Sequence, residues 1–97
     1  KKDETQKEIV PQLQRLGVVF MDTSSVGSGC PDGFAFWRDR WIALEFKTGT
    51  GKLTEAQRDA HALAPVFIIR SFEDACHALG ISFGYDRGRA APAKTGA

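Results

Sequence analysis

The fold is decided by one stretch of the sequence, GFAFWRDRWIALEFK at residues 33–47. Its two halves, residues 33–37 and 41–47, are dominated by aromatic and other apolar side chains, a composition typical of strands. The charged triplet at residues 38–40 separates them and has the polarity of a turn. The stretch therefore predicts a β-hairpin.

The second strand of this hairpin has two different faces. Because successive side chains of a strand point to opposite sides, Glu45 and Lys47 are expected on one face, and Leu44 and Phe46 on the other. Ala43 shares the face of Glu45 and is small, which leaves room above the strand. We therefore expect one face to pack in the core and the other to hold polar groups.

The pairing register decides whether Asp32, just before the hairpin, faces Glu45. If paired residue numbers sum to 77, Asp32 lies opposite Glu45, and if they sum to 79 it lies opposite Lys47. A sum of 78 turns Asp32 to the other face. We therefore predict a two-residue or four-residue loop, or a bulge near Asp32. Cross-strand neighbours lie about 5 Å apart, close enough for two carboxylates to bind one divalent cation and to repel each other without it.

Asp32 and Glu45 are hard oxygen ligands, which suit Mg2+ or Mn2+. Both cations keep bound waters and accept phosphate oxygens as further ligands. Phosphodiester hydrolysis is the matching reaction, because such a cation polarises a phosphoryl group and helps to form hydroxide. Lys47 beside the pair is expected to position the attacking water or to offset developing negative charge.

Periodicity and turn signals predict the elements on either side of the hairpin. They are a helix at residues 3–16 that contains Pro11, a short buried strand at 18–21, a Ser- and Gly-rich loop at 22–31, a helix from the Thr54 capping box to about residue 63, a strand at 66–69 buried on both faces, and a helix from Ser71 to near Gly80. We expect residues 1–85 to form a single α/β domain, a small mixed sheet flanked by helices. Residues 86–97, rich in Gly, Pro, Ala and Lys, are expected to be a flexible tail.

Composition excludes several classes of protein. The chain is 42% hydrophobic and 26% charged, which is ordinary globular composition. Its 97 residues are too few to build two hydrophobic cores. No apolar run approaches the roughly 18 residues of a membrane span, and the polar start does not resemble a secretory signal, so a cytoplasmic protein without membrane contact is expected. The net charge of +1 means that any binding of nucleic acid requires a local patch.

Two pairs of motifs carry a family resemblance. PD at residues 31–32 followed by EFK at residues 45–47 resembles the PD-(D/E)xK nuclease motif. GCPDG at residues 29–33 and LTEAQ at residues 53–57 are similar to the VRR-Nuc family of that superfamily. The superfamily core has the order αβββαβ, which is also the order obtained above from periodicity. The resemblance implies a restriction-endonuclease-like fold and a Mg2+/Mn2+-dependent endodeoxyribonuclease that hydrolyses phosphodiester bonds of DNA.

The resemblance also implies a role for each matching residue. Asp32 and Glu45 hold the metal, Lys47 assists the water, Gln57 lies near the site at the start of the second helix, and Glu4 of the first helix completes both the metal ligands and the catalytic set. Glu8, one turn further along the same face, is the substitute for Glu4, and Pro11 inside that helix leaves the choice between them open.

Small stand-alone members of this family resemble junction-resolving nucleases, which act as homodimers on branched DNA such as Holliday junctions. The resemblance therefore implies a homodimer, DNA as the partner, and a protein of bacterial or phage type. A domain of this length has a radius of gyration near 13 Å, so one copy covers little of a duplex.

Each signal also has a plainer interpretation. A Glu and a Lys two residues apart on a strand, as Glu45 and Lys47 are, commonly form a surface ion pair. Pro-Asp often starts a turn, and Gln57 also fits the last position of a capping box. The alternative function is a non-catalytic DNA-binding module with a nuclease-like fold. Residues 49–52 imitate a phosphate-binding P-loop but lack its first Gly, and the Ser or Thr that should follow the Lys is absent, which excludes nucleotide hydrolysis. His61 and His77 lack partners at ligand spacing and are expected at the surface or at helix ends.

Overall fold

The chain folds into three helices and one mixed sheet. The computed structural model describes residues 2–82 and 93–95. Within them the elements are α1 (Glu4–Arg15), β1 (Val19–Asp22), β2 (Gly33–Trp37), β3 (Arg40–Phe46), α2 (Glu55–His61), β4 (Val66–Ile69), α3 (Phe72–Leu79) and β5 (Lys94–Thr95). Up to α3, the element order is the predicted one, and the expected α/β fold with a small mixed sheet is confirmed. None of the described helices is long and apolar enough to cross a membrane.

The sheet has the order β1-β2-β3-β4, with the short β5 added beside β4. The first three strands are antiparallel neighbours, whereas β3 and β4 are parallel. A parallel pair needs a crossover connection, and α2 lies within that crossover. At its Glu45 end, β3 pairs with β4, while its pairing with β2 ends at Leu44.

The hydrophobic core lies on one face of the sheet, under α1 and α3. Ile9 and Leu13 from α1, Leu79 from α3 and the β3 side chains Leu44 and Phe46 are almost completely buried together. Each such side chain contributes roughly 1.5–3 kcal/mol of burial free energy. The predicted division of β3 into a packing face and a polar face is therefore confirmed.

A two-residue loop connects β2 and β3. Trp37 pairs with Arg40, so paired residue numbers sum to 77, and only Arg38 and Asp39 remain in the loop. Both have positive φ, 51° and 68°, as a type I′ turn requires. This turn matches the right-handed twist of the two strands. Of the three predicted alternatives, the two-residue loop is the one that forms.

Two strands are less buried than the sequence suggested. The first strand begins one residue later than predicted, and Val19 and Met21 are more than half exposed. Because β1 is an edge strand and the helices α1 and α3 cover only one face, its other face remains open. In β4, Val66 and Ile69 are buried while Phe67 and Ile68 are only partly buried, so the prediction of burial on both faces was wrong there.

The predicted flexible tail at residues 86–97 lies mostly outside the described residues. Within it, Lys94 and Thr95 form β5 and pair with Phe67 and Val66 of β4. At these two residues the chain is therefore part of the sheet.

Two glycines of the GCPDG stretch permit close packing next to Asp32. A Cβ at Gly29 would lie 2.3 Å from the carbonyl oxygen of Ala56 in α2, and a Cβ at Gly33 would lie 2.1 Å from the ring of Phe20. No side chain fits at either distance. The loop before β2 therefore rests directly on α2, and β2 rests directly on the Phe20 ring.

We predict that Gly29→Ala destabilises the protein by about 1–3 kcal/mol more than Gly27→Ala. Both glycines have similar positive φ values, 82° and 76°, so the backbone strain of the two substitutions is alike. Only at Gly29 does the new methyl group meet backbone atoms, since nothing lies within 4 Å of a Cβ at Gly27. Urea unfolding of both variants measures the difference, and equal stabilities would contradict the tight contact with α2.

Candidate active site

The β2–β3 register brings Asp32 opposite Glu45. Gly33 pairs with Leu44, and one residue further the same register aligns Asp32 with Glu45. The Asp32 Oδ2 atom accepts a hydrogen bond from the backbone N–H of Phe46 at 2.8 Å. The Asp32 carbonyl accepts another from the N–H of Thr23 at 2.9 Å. The Asp32 carboxylate is therefore held over the end of β3.

Glu45 is a buried acid with only part of its hydrogen-bonding capacity used. Its side chain is 2% exposed, and Oε2 accepts a hydrogen bond from Nε2 of Gln57 at 2.9 Å. The other oxygen, Oε1, has no hydrogen-bond partner among the described residues. Burial first, and the negative charge of Asp32 second, raise the pKa of Glu45 to about 8. The two carboxylates therefore interact electrostatically, as the register predicts.

Gln57 connects three parts of the site. In the capping box of α2, its Oε1 accepts a hydrogen bond from the N–H of Thr54 at 2.9 Å, and its own N–H donates to Thr54 Oγ1. The same Oε1 accepts a hydrogen bond from Nζ of Lys47 at 2.9 Å, while Nε2 donates to Glu45. Gln57 is thus both the capping residue and a site residue, and the two interpretations of the sequence are compatible.

Lys47 continues the alternation of β3 beyond its last residue. Its backbone N–H donates to the carbonyl of Ile69 at 3.0 Å, which keeps the chain extended along β4. The half-buried side chain consequently lies on the same face as Glu45, with its ammonium group against Gln57. An acid and an amine are held on one face by strand geometry and by one shared amide.

These groups line a cleft of about 300 Å³. Its lining residues are Lys2, Asp3, Asp32, Glu45, Phe46, Lys47 and Gln57. Asp3 is the N-cap of α1, where its Oδ1 accepts a hydrogen bond from the N–H of Thr5 at 2.9 Å. The same oxygen accepts a hydrogen bond from the hydroxyl of Thr48, just after Lys47. The start of α1 is therefore attached to the end of β3 beside the cleft.

The first helix brings Asp3 to the cleft, and neither Glu4 nor Glu8 lines it. Glu4 has a side chain that is 76% exposed and forms a salt bridge with Lys7 at 3.1 Å, and Glu8 is exposed. Glu4 is the first residue of α1 and does not line the cleft, whereas Asp3, the extended N-cap residue before it, does. An Asp before an acidic first turn is an N-cap signal, which identifies Asp3 as the N-cap but does not show that it reaches the cleft.

His61 is a site residue that sequence reasoning missed. It does lie at a helix end, in the last turn of α2, but it is 1% exposed and not at the surface. Its Nε2 lies 3.5 Å from Oε1 of Glu45, and burial lowers the pKa of its imidazole. Residues four apart share one face of a helix, so the spacing of Gln57 and His61 was the available signal.

The donor set fits a magnesium-type cation held by few protein ligands. Among residues 2–82 and 93–95, no cluster of three or more His, Cys, Asp or Glu side chains is arranged to hold a metal ion. Mg2+ commonly uses only one or two carboxylates and takes its other ligands from water and phosphate. Asp32 and Glu45 are such a pair, and the unpartnered Oε1 of Glu45 is a buried acceptor that a cation would satisfy. The same pair suits Mn2+.

Comparisons with known proteins do not add to this description. The chain matches no protein-family model, no curated protein and no solved structure.

We predict that Glu45 makes the protein less stable as the pH rises in the presence of a chelator. The folded pKa of about 8 lies above the ordinary value of 4.5, so the folded state binds this proton more tightly than the unfolded state. The resulting stabilisation is complete below about pH 4.5 and is lost as the pH rises to about 8, with a slope of at most about 1.4 kcal/mol per pH unit.

Chemical denaturation at several pH values checks this prediction. We expect the free energy of unfolding of Glu45→Gln to vary less over this range than that of the wild type, because Gln has no proton to lose. Parallel pH profiles of the two proteins would show that Glu45 titrates normally.

Proposed function

We propose that this chain is a Mg2+/Mn2+-dependent endodeoxyribonuclease with a restriction-endonuclease-like core of the VRR-Nuc type. The observation that carries the proposal is the meeting of Asp32, Glu45 and Lys47 in one cleft at the end of β3. These are the three positions of the PD-(D/E)xK motif, 13 residues apart between the two acids. A surface ion pair does not account for them, because Glu45 is buried and Lys47 binds Gln57.

Asp32 and Glu45 are the residues that would hold the cation. A bound Mg2+ or Mn2+ would supply a polarised phosphoryl oxygen and a water of lowered pKa. The backbone N–H of Phe46 fixes the Asp32 carboxylate, and the Gln57 amide fixes that of Glu45. Asp3 also lines the cleft, whereas Glu4 does not, but among the described residues Asp3 is not arranged with Asp32 and Glu45 as a third metal ligand.

Lys47 acts on the water or on the phosphate in this proposal. An ammonium group has three N–H donors, and Gln57 takes one of them. Lys47 lines the cleft, where its remaining donors would orient a water molecule or stabilise negative charge that develops on the phosphate. Because Gln57 also binds Glu45, one amide sets the spacing between the acid and the amine.

The same cleft offers a local positive charge for DNA phosphate. Lys2 and Lys47 both line it, although Lys2 is also paired with Asp22 at 2.8 Å. With a net charge of +1, the chain lacks a strong overall attraction for DNA, so binding depends on contacts near the site. Phosphate contacts position a nucleic acid without reading its sequence, which agrees with selection by DNA shape.

We further propose that two copies act together on branched DNA such as a four-way junction. The longest dimension of one copy is 37 Å, about one turn of a duplex. The sheet face that carries Glu45 also carries Val19, Met21 and Trp41, which are 56%, 53% and 51% exposed. Single exposed apolar residues are common, but a cluster on one face favours contact with another protein surface.

We predict that Asp32→Asn, Glu45→Gln and Lys47→Met each reduce metal-dependent DNA cleavage about 100-fold or more. The first two remove a charge that holds the cation, and the third removes the ammonium group. Lys52→Met is the matched control, because Lys52 is exposed and does not line the cleft. The assay uses four-way junctions, flaps, nicked and linear duplexes, each with Mg2+, Mn2+ or chelator.

The binding measurements made alongside separate the enzyme from the alternative. Cleavage that disappears in Lys47→Met while junction binding persists supports the nuclease. If the wild type binds DNA but cleaves none of these substrates with either metal, the chain is a non-catalytic DNA-binding module.

We predict that Met21→Glu shifts the protein from dimer to monomer. The substitution puts a charge in the exposed apolar face, where a partner would have to desolvate it. Leu63→Glu is the control, since Leu63 is 85% exposed but lies after α2 and outside this face. Light scattering coupled to gel filtration gives the molar mass, and a wild type that is monomeric at every concentration would refute the dimer.

A further inference from the structure

His61 is a buried polar residue whose two ring nitrogens make no hydrogen bond of ordinary geometry within the described residues. The side chain is 1% exposed, and neither Nδ1 nor Nε2 has a hydrogen-bond partner within the described part of the chain. Most buried polar groups in folded proteins are hydrogen-bonded, and leaving one unpaired is unfavourable. A Phe or Leu would pack at this position without that penalty, so the polar ring requires an explanation.

The unpartnered oxygen of Glu45 is an acceptor close to Nε2 of His61, and the backbone of Gly29 is a second polar group near the ring, where it partly opposes the lowering of the His61 pKa. Nε2 of His61 and Oε1 of Glu45 are 3.5 Å apart, slightly beyond an ordinary hydrogen bond. Both atoms are buried, and both lack another partner among residues 2–82 and 93–95. A movement of about half an ångström would satisfy both groups, since the usual N···O distance is about 2.9 Å.

The position of His61 on α2 complements that of Gln57. The two residues are one helical turn apart and face the same carboxylate. Gln57 donates to Oε2 of Glu45, while His61 faces Oε1. One helix face therefore presents a donor to each oxygen of the acid.

We propose that His61 is a positioning residue for the nuclease reaction, in which its Nε2–H donates to Oε1 of Glu45. Together with Gln57 it fixes the plane of the carboxylate beside Asp32. Each carboxylate oxygen has two lone pairs, so this donation leaves Glu45 free to bind a cation as well. The effect on cleavage rests on the proposed function, whereas the contact between His61 and Glu45 does not.

Three substitutions at residue 61 test the contact through metal use. His61→Phe keeps a ring but has no donor, His61→Gln places an amide nitrogen near the position of Nε2, and His61→Asn places one near Nδ1. We expect Phe and Asn to raise the Mn2+ concentration for half-maximal cleavage roughly 10-fold to 100-fold. We expect Gln to restore it, with the KM for DNA unchanged in all three. Equal Mn2+ requirements for Gln, Asn and Phe would overturn the proposal.

A double-mutant cycle in chelator tests the same contact without metal or activity. Glu45→Met, His61→Phe and the double variant are compared with the wild type by urea unfolding. We expect the double variant to be destabilised by less than the sum of the two single variants, because each single change already removes the contact. If His61→Phe does not fold, His61→Asn replaces it in the cycle and is expected to give the same non-additive result, whereas His61→Gln, which keeps the donor, is expected to give nearly additive effects.

The two readouts separate the possible failures. If the changes in unfolding free energy of the two single variants simply add in the double variant, the role of His61 is overturned even in an active nuclease. If these changes are not additive, but the protein neither cleaves DNA nor gains thermal stability from Mn2+, the contact is supported and the nuclease is refuted.

Discussion

The antiparallel register between β2 and β3 is the constraint on which the site depends. A two-residue turn pairs Trp37 with Arg40, and the same register at the other end aligns Asp32 with Glu45. Because side chains alternate along a strand, a slip by one residue would turn Leu44 and its core neighbours toward solvent. Apolar packing on one face therefore holds two carboxyl groups together on the other, and each buried side chain adds roughly 1.5–3 kcal/mol to that preference.

A buried carboxyl group beside a second acid is an unfavourable arrangement for a fold that needs only stability. Burial and Asp32 both oppose ionisation of Glu45, and its Oε1 has no hydrogen bond within the described residues. The surrounding structure nevertheless holds the group in place, through the Gln57 amide and the packing of α2. Ionisable groups with strongly shifted pKa values tend to occur at functional sites. A divalent cation would relieve both the repulsion and the unpaired oxygen, which is the physical basis of the proposed metal centre.

Gln57 shows how a local signal and a tertiary contact occupy one residue. Its backbone and its Oε1 close the capping box with Thr54, which sets where α2 begins. The helix start in turn determines which face of α2 meets β3, and therefore brings His61 over Glu45 one turn later. Gly29, which allows the preceding loop to touch α2 at Ala56, makes the same approach possible.

The sequence by itself determined the elements, the two faces of β3 and the restricted set of registers. These follow from the alternation of Ile42, Leu44 and Phe46 and from the turn residues, which act over a few positions. Tertiary structure alone decided that Asp3, not Glu4, reaches the cleft and that His61 is buried against Glu45. Those outcomes depend on how α1 and α2 are placed against the sheet. Helical spacing defines the faces of a helix, but long-range packing selects which face, and which turn, meets the strand.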